Sequence, residues 1–171
     1  MDWVSLLKSE MEEAYRATEG LMDLVDEDKL DWVPEAGENW MPTNELLRHL
    51  TNACGWCCEN FVEDRWAALM SGDGSDSPPT TVDSVAEAKA ELAKDKALAF
   101  ATLEKAGNEA LQNTIVAAPW DATERPLGQH LLGMIGHLAL HKAQLFYYLK
   151  LQGKPVNTFT LWGLPEPQSQ G

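Results

Sequence analysis

No stretch of this 171-residue chain approaches the run of about 20 apolar residues that a membrane-crossing helix needs. Basic residues are few: 13 Lys and Arg stand against 27 Asp and Glu, for a formal net charge of −14. Nucleic acid and anionic lipid surfaces attract Lys and Arg clusters, and the chain has none, so neither is an expected partner. The opening MDWVSLLKSEMEE has neither the basic start nor the apolar centre of a signal peptide, and the expected setting is the cytoplasm. Cysteine is scarce and crowded. Cys54, Cys57 and Cys58 fall within five positions, the opposite of a dispersed disulfide framework, and read as small buried hydrophobes in a reducing compartment. Cys54-Gly-Trp-Cys57 matches C-x-x-C, but it falls inside a helical pattern and has no second pair to complete a zinc site.

Against these shortages stands a 44% apolar content, enough for one core, and the length suits a single domain over residues 1–171. Apolar positions recur with helical rather than alternating period. Trp3, Leu6, Leu7, Met11, Ala14, Thr18, Leu21 and Val25 mark a first helix, closed by Asp26-Glu27-Asp28. A long loop with Trp32, Pro34, Gly37, Trp40 and Pro42 follows. Thr43 is the expected N-cap of a second helix running to about Met70, with Leu46, Leu50, Ala53, Cys57 and Phe61 on one face. The turn-rich stretch Ser71 to Pro79 separates the two halves. Ser84 and Glu87 form a capping box that opens a third helix, striped by Val85, Ala88, Leu92, Ala99, Leu103 and Ala106 and stopped by Gly107. Residues 108–121 have no clear period. Thr123 is the expected cap of a fourth helix that tolerates Pro126 in its first turn and ends near Gly153, beyond which the tail is irregular. The expected architecture is all-α, a four-helix bundle.

Chemistry concentrates in the histidines. His137 and His141 are one helical turn apart on the inward face of the fourth helix, and His49 shares the inward face of the second. A neutral imidazole is a common transition-metal ligand, so these three form a candidate divalent-metal site with at least one coordination position left open. His130 lies two turns from His137, about 10.5 Å along the axis, too far to share an ion. Cys57 lies about 12 Å from His49 by the same measure and is a poor fourth ligand. Glu45, Glu59 and Asp64 read as solvated or capping carboxylates, and no general base is assigned. Trp32, Trp40, Trp120 and Trp162 fall in loops or the tail, where they anchor the chain or wall the open end of the bundle.

The segments Thr43-Asn44-Glu45-Leu46-Leu47-Arg48-His49-Leu50 and Gly136-His137-Leu138-Ala139-Leu140-His141-Lys142-Ala143-Gln144-Leu145, with Leu149-Lys150-Leu151-Gln152-Gly153, resemble those of the DinB/YfiT-like metal-binding bundles, over nearly the whole chain. That resemblance implies up-down-down-up connectivity, a possible homodimer, and a divalent ion, usually zinc or nickel, on the matching His49, His137 and His141. It implies a supporting role for Gln144. It also implies, as the leading reading, a transferase joining a low-molecular-weight thiol to a small electrophile. The alternatives are a metal-dependent hydrolase and a non-catalytic metal-loaded binding or stress-response protein. Fold transfers through such a resemblance more safely than reaction does.

Overall fold

In the computed structural model the described residues are 2–71 and 79–165, so the turn-rich stretch before Pro79 lies almost wholly outside them. Asp2 opens α1 (Trp3–Met22) by accepting from the Ser5 amide at 3.0 Å, satisfying one of the donors that a helix start leaves unpaired. The helix ends before Val25, and Glu27–Lys29 forms a short 3-10 turn. Leu6 is on the exposed side, whereas Tyr15, absent from the expected stripe, is buried.

The second helix departs most from expectation. It is three helices, α2 (Thr43–Leu50), α3 (Gly55–Val62) and α4 (Trp66–Met70). Thr43 is the first helical residue rather than the N-cap; Pro42 precedes it, and the Thr43 hydroxyl donates to the Trp32 carbonyl at 3.1 Å, pinning the long loop instead. The Ser84 cap holds. Its hydroxyl accepts from the Glu87 amide at 3.0 Å, while the Glu87 carboxylate reaches back to the Asp83 amide at 2.7 Å, one residue beyond the usual capping box.

α5 (Val85–Asn113) is interrupted but not ended by Gly107, whose φ of +67° is the left-handed region that glycine tolerates. The unassigned segment is an antiparallel hairpin, β1 (Ile115–Ala118) with β2 (Asp121–Pro126), pairing Val116 with Arg125 and Ala118 with Asp121. Strand β2 occupies the place expected for the start of the last helix, so α6 (Leu127–Leu151) begins after Pro126 and not at Thr123. Gly153, at φ +81°, ends it as expected. The tail holds one more short helix, α7 (Thr158–Leu161), capped by Asn157.

Side-chain pairings fix the connectivity. Lys8 pairs with Glu104 and Lys96 with Glu12, so α1 and α5 run antiparallel. Met41 meets Tyr148, Ala53 meets His137 and Phe61 meets His130, so α2 and α3 run antiparallel to α6. Arg48 beside Glu91 and Glu63 beside Lys105 make α2–α3 parallel to α5. The order is up-down-down-up, with Leu7, Met11, Leu46, Leu50, Leu103, Leu131 and Leu145 fully buried between the helices. No helix among the described residues is long and apolar enough to cross a membrane.

Candidate metal centre

His49 stands at the end of α2, and His137 and His141 on successive turns of α6. One ring nitrogen from each lies within 4.8 Å of the others. The His49 and His137 Nε2 atoms are 3.1 Å apart. Two nitrogens about 2.05 Å from one ion stand that far apart when the angle at the ion is about 98°, between octahedral and tetrahedral values.

The tautomers follow from the hydrogen bonds. His137 Nδ1 lies 3.1 Å from the Ala53 carbonyl, which only accepts, so Nδ1 carries the proton and the Nε2 lone pair is free. His141 Nδ1 lies 3.0 Å from Gln144 Oε1. The Gln144 amide nitrogen donates to the Tyr148 hydroxyl at 3.1 Å, and that hydroxyl donates to the Met41 carbonyl at 2.9 Å. Because the Met41 carbonyl can only accept, the whole chain of bonds is polarised one way: Gln144 presents oxygen to His141, whose Nδ1 donates and whose Nε2 is left bare. A histidine ligand usually gives its other ring N–H to such a partner.

Burial, followed by the charges of His141 and His137, pushes the His49 imidazole down to about 4; burial and His141 lower His137 as well. Three half-buried imidazoles, two of them with a lone pair fixed by hydrogen bonds, are a donor set that can hold a divalent ion.

The triad opens on a cavity of about 890 Å³ lined by His49 and His137, by Trp56, Trp66 and Trp120, and by the α6 surface around Gly133 and Gly136. Of the four tryptophans read as loop anchors or walls of the open end, Trp120 alone is in this wall. Trp32 and Trp40 instead pack edge-on against Tyr148, and Trp162 lies over the Lys142 ammonium. His130 stands apart from the triad as expected: its Nε2 donates to the Val116 carbonyl at 2.9 Å and its ring stacks on Phe61, fastening the hairpin to α6. The three cysteines are free and buried. Cys57 reaches the cavity, its thiol pushed up to about 12 by burial, Asp95 and Cys54.

Asp95 is the residue that sequence reasoning missed. It is 5% exposed, and it accepts from the Tyr15 hydroxyl at 2.6 Å and from the Gly55 and Trp56 amides at 2.9 and 2.7 Å. It thus caps the buried start of α3 and fixes the break that carries the Ala53 carbonyl to His137. A Cβ at Gly55 would lie 2.1 Å from the Asp95 carbonyl oxygen, so only glycine fits. The signal was present. The α5 stripe passes from Leu92 to Ala99, and the inward position between them is a carboxylate.

Known proteins agree with this architecture. A crystal structure described as a putative member of the DinB family, from Exiguobacterium sibiricum 255-15, superposes with a TM-score of 0.65 at 20% identity, covering 94% of this chain and 98% of that one. No functionally curated protein matches. The family model described as DinB superfamily matches residues 10–145, most of the chain and all three histidines. The chain belongs to the DinB superfamily.

Proposed function

We propose that the chain is a divalent-metal protein, with zinc or nickel held by the Nε2 atoms of His49, His137 and His141, and that it transfers a small thiol to an electrophilic substrate. One observation carries the reading: two of the three imidazoles, His49 and His137, stand in the wall of a large apolar cavity with no carboxylate in its lining among the described residues. A bound divalent ion would supply a fixed positive charge that favours a thiol's anionic form. His137 and His141 hold their rings in place through Ala53 and Gln144, and the tryptophan walls exclude water from the reacting sulfur. The nucleophile is the small thiol's own sulfur. Cys57, the thiol that reaches the cavity, is held protonated by burial and is a poor competitor. In the transfer, the new S–C bond forms as carbon's bond to its leaving group breaks, and the thiol proton passes to solvent.

A second reading, hydrolysis, rests on Glu45, which lines a smaller groove of about 220 Å³ beside His49 and Arg48 and is the carboxylate placed to act as a base. Protein purified without a nickel column, assayed for metal and then screened with low-molecular-weight thiols against electrophiles, separates the two. The transferase reading expects about one ion per chain and thiol consumption that disappears with a chelator or in His137→Ala. An ion-free protein overturns the metal assignment. Ester or amide cleavage without thiol, lost in Glu45→Gln, replaces transfer with hydrolysis.

A further inference from the structure

The cavity beside the histidines has a chemistry of its own. Its walls are indoles: Trp56 and Trp66 meet edge-on with centroids 5.6 Å apart, and Trp66 and Trp120 at 5.2 Å. Its floor is bare helix, since a Cβ at Gly133 or Gly136 would meet no atom within 4 Å. The chain therefore keeps two glycines mid-helix, where each lowers helix propensity by about 1 kcal/mol relative to alanine, and gains a flat surface. Among the described residues no Asp, Glu, Lys or Arg lines the cavity, although the chain as a whole carries a net charge of −14. At the histidine end stands Asn52, half-buried, whose side-chain amide has no partner among the described residues.

From these features we infer that the cavity binds a neutral, flat aromatic molecule bearing one hydrogen-bonding group. Its ring lies on the Gly133–Gly136 surface against the indoles, and its polar group meets the Asn52 amide. Indole walls favour an aromatic ring over a saturated one of equal size, because edge-to-face and offset contacts add to area burial. The acidic surface and the uncharged lining disfavour an anion, which would lose its hydration without a paired cation. The inference names the substrate class of the proposed transferase and rests on that reading for its functional meaning, but the binding itself needs no metal.

The test uses 2-naphthol, 2-naphthalenesulfonate and decahydro-2-naphthol, titrated by calorimetry and tryptophan fluorescence into metal-free and zinc-loaded protein. The expected result is saturable one-to-one binding of 2-naphthol to both forms, about tenfold tighter than either comparator. Gly133→Leu, which fills the floor, and Trp120→Ala, which removes an exposed wall residue, each weaken it about tenfold while leaving zinc binding intact. Both positions are exposed, so these variants fold. Naphthalene, titrated as a control that lacks the polar group, binds Asn52→Leu as it binds the wild type, whereas 2-naphthol binds the variant more weakly. Equal affinity for all three probes, no saturable binding, or indifference to both variants overturns the inference. If zinc fails to bind and 2-naphthol still does, the metal reading falls and the aromatic site stands.

Discussion

Gln144 shows how a residue three positions from a histidine can govern its ligand atom. Its amide takes its orientation from Tyr148 and ultimately from the Met41 carbonyl, and it passes that orientation to the His141 ring. Gln144→Leu removes the acceptor and frees the tautomer. The expected outcome is zinc affinity about 10- to 100-fold weaker by competition titration, with the metal-free melting temperature little changed. Equal affinity would show that the ring is held by packing alone. The lowered pKa of His49 and His137 makes a second prediction. Below pH 6.5 an unfolded chain protonates these imidazoles, while folded His49 resists until about pH 4. The unfolded state then binds more protons, so stability of the metal-free protein falls as pH drops through that window and is insensitive to these groups above it. Urea midpoints between pH 7 and 5.5 are expected to fall for the wild type and to fall less steeply in His49→Phe, in which lowered His137 still contributes. A parallel slope in the variant would remove His49 as the cause.

Among the elements, the break between α2 and α3 is where local structure makes the site. A continuous helix would satisfy the Ala53 carbonyl internally; interrupting it frees that carbonyl for His137, and Asp95 caps the resumed helix. Asp95→Ala leaves the Tyr15 hydroxyl and the Trp56 amide without their acceptor and the Gly55 amide with only the Tyr15 hydroxyl, at about 1–3 kcal/mol for each unsatisfied group. The expected loss is about 3 kcal/mol or more in denaturant titration, against about 1 kcal/mol for Tyr15→Phe, which removes the hydroxyl's bonds to Asp95 and to the Gly55 amide but leaves both amides on the carboxylate. Similar losses for both would deny Asp95 its capping role. The break was not legible in the apolar period. Leu46, Leu50, Ala53, Cys57 and Phe61 are spaced by three and four residues, as in one unbroken helix, because the turn at Thr51 to Cys54 preserves the inward face while shifting the axis. The hairpin was hidden differently. Its second strand reads Asp121-Ala122-Thr123-Glu124-Arg125-Pro126, and a strand this exposed needs no alternation of apolar and polar positions, so it presents no apolar face to read. The histidine faces were legible because α2 and α6 each keep one inward stripe up to their ligand positions, as were the Ser84 cap and the Gly153 stop. Of the tryptophan walls, Trp120 was legible as one of two readings of a loop tryptophan, whereas Trp66 was not, since nothing in the apolar period marks off α4, the element that brings it to the cavity.

For the molecule as a whole, the triad is a tie between parts distant in sequence. His49 and His137 are 88 residues apart, and α2, eight residues long, is too short to be stable alone. Its position rests on buried Leu46, Leu47 and Leu50, on Thr43 at the long loop, and on the histidine contact with α6. A metal held across that contact binds the folded chain and not the unfolded one, so it stabilises by mass action: about 2.7 kcal/mol at a free concentration 100 times Kd. At about 2–4 °C per kcal/mol for a chain of this size, zinc is expected to raise the melting temperature by about 5–10 °C, reversibly with a chelator, and to leave His137→Ala unmoved. Hydrogen exchange locates the effect. If the ion joins α2 to α6, the α2 amides slow on zinc addition far more than those of α5, which supplies no ligand. A rise in melting temperature that persists in His137→Ala, or protection spread evenly over α1 and α5, would place the ion on the acidic surface and leave the imidazoles as core hydrogen-bonding groups.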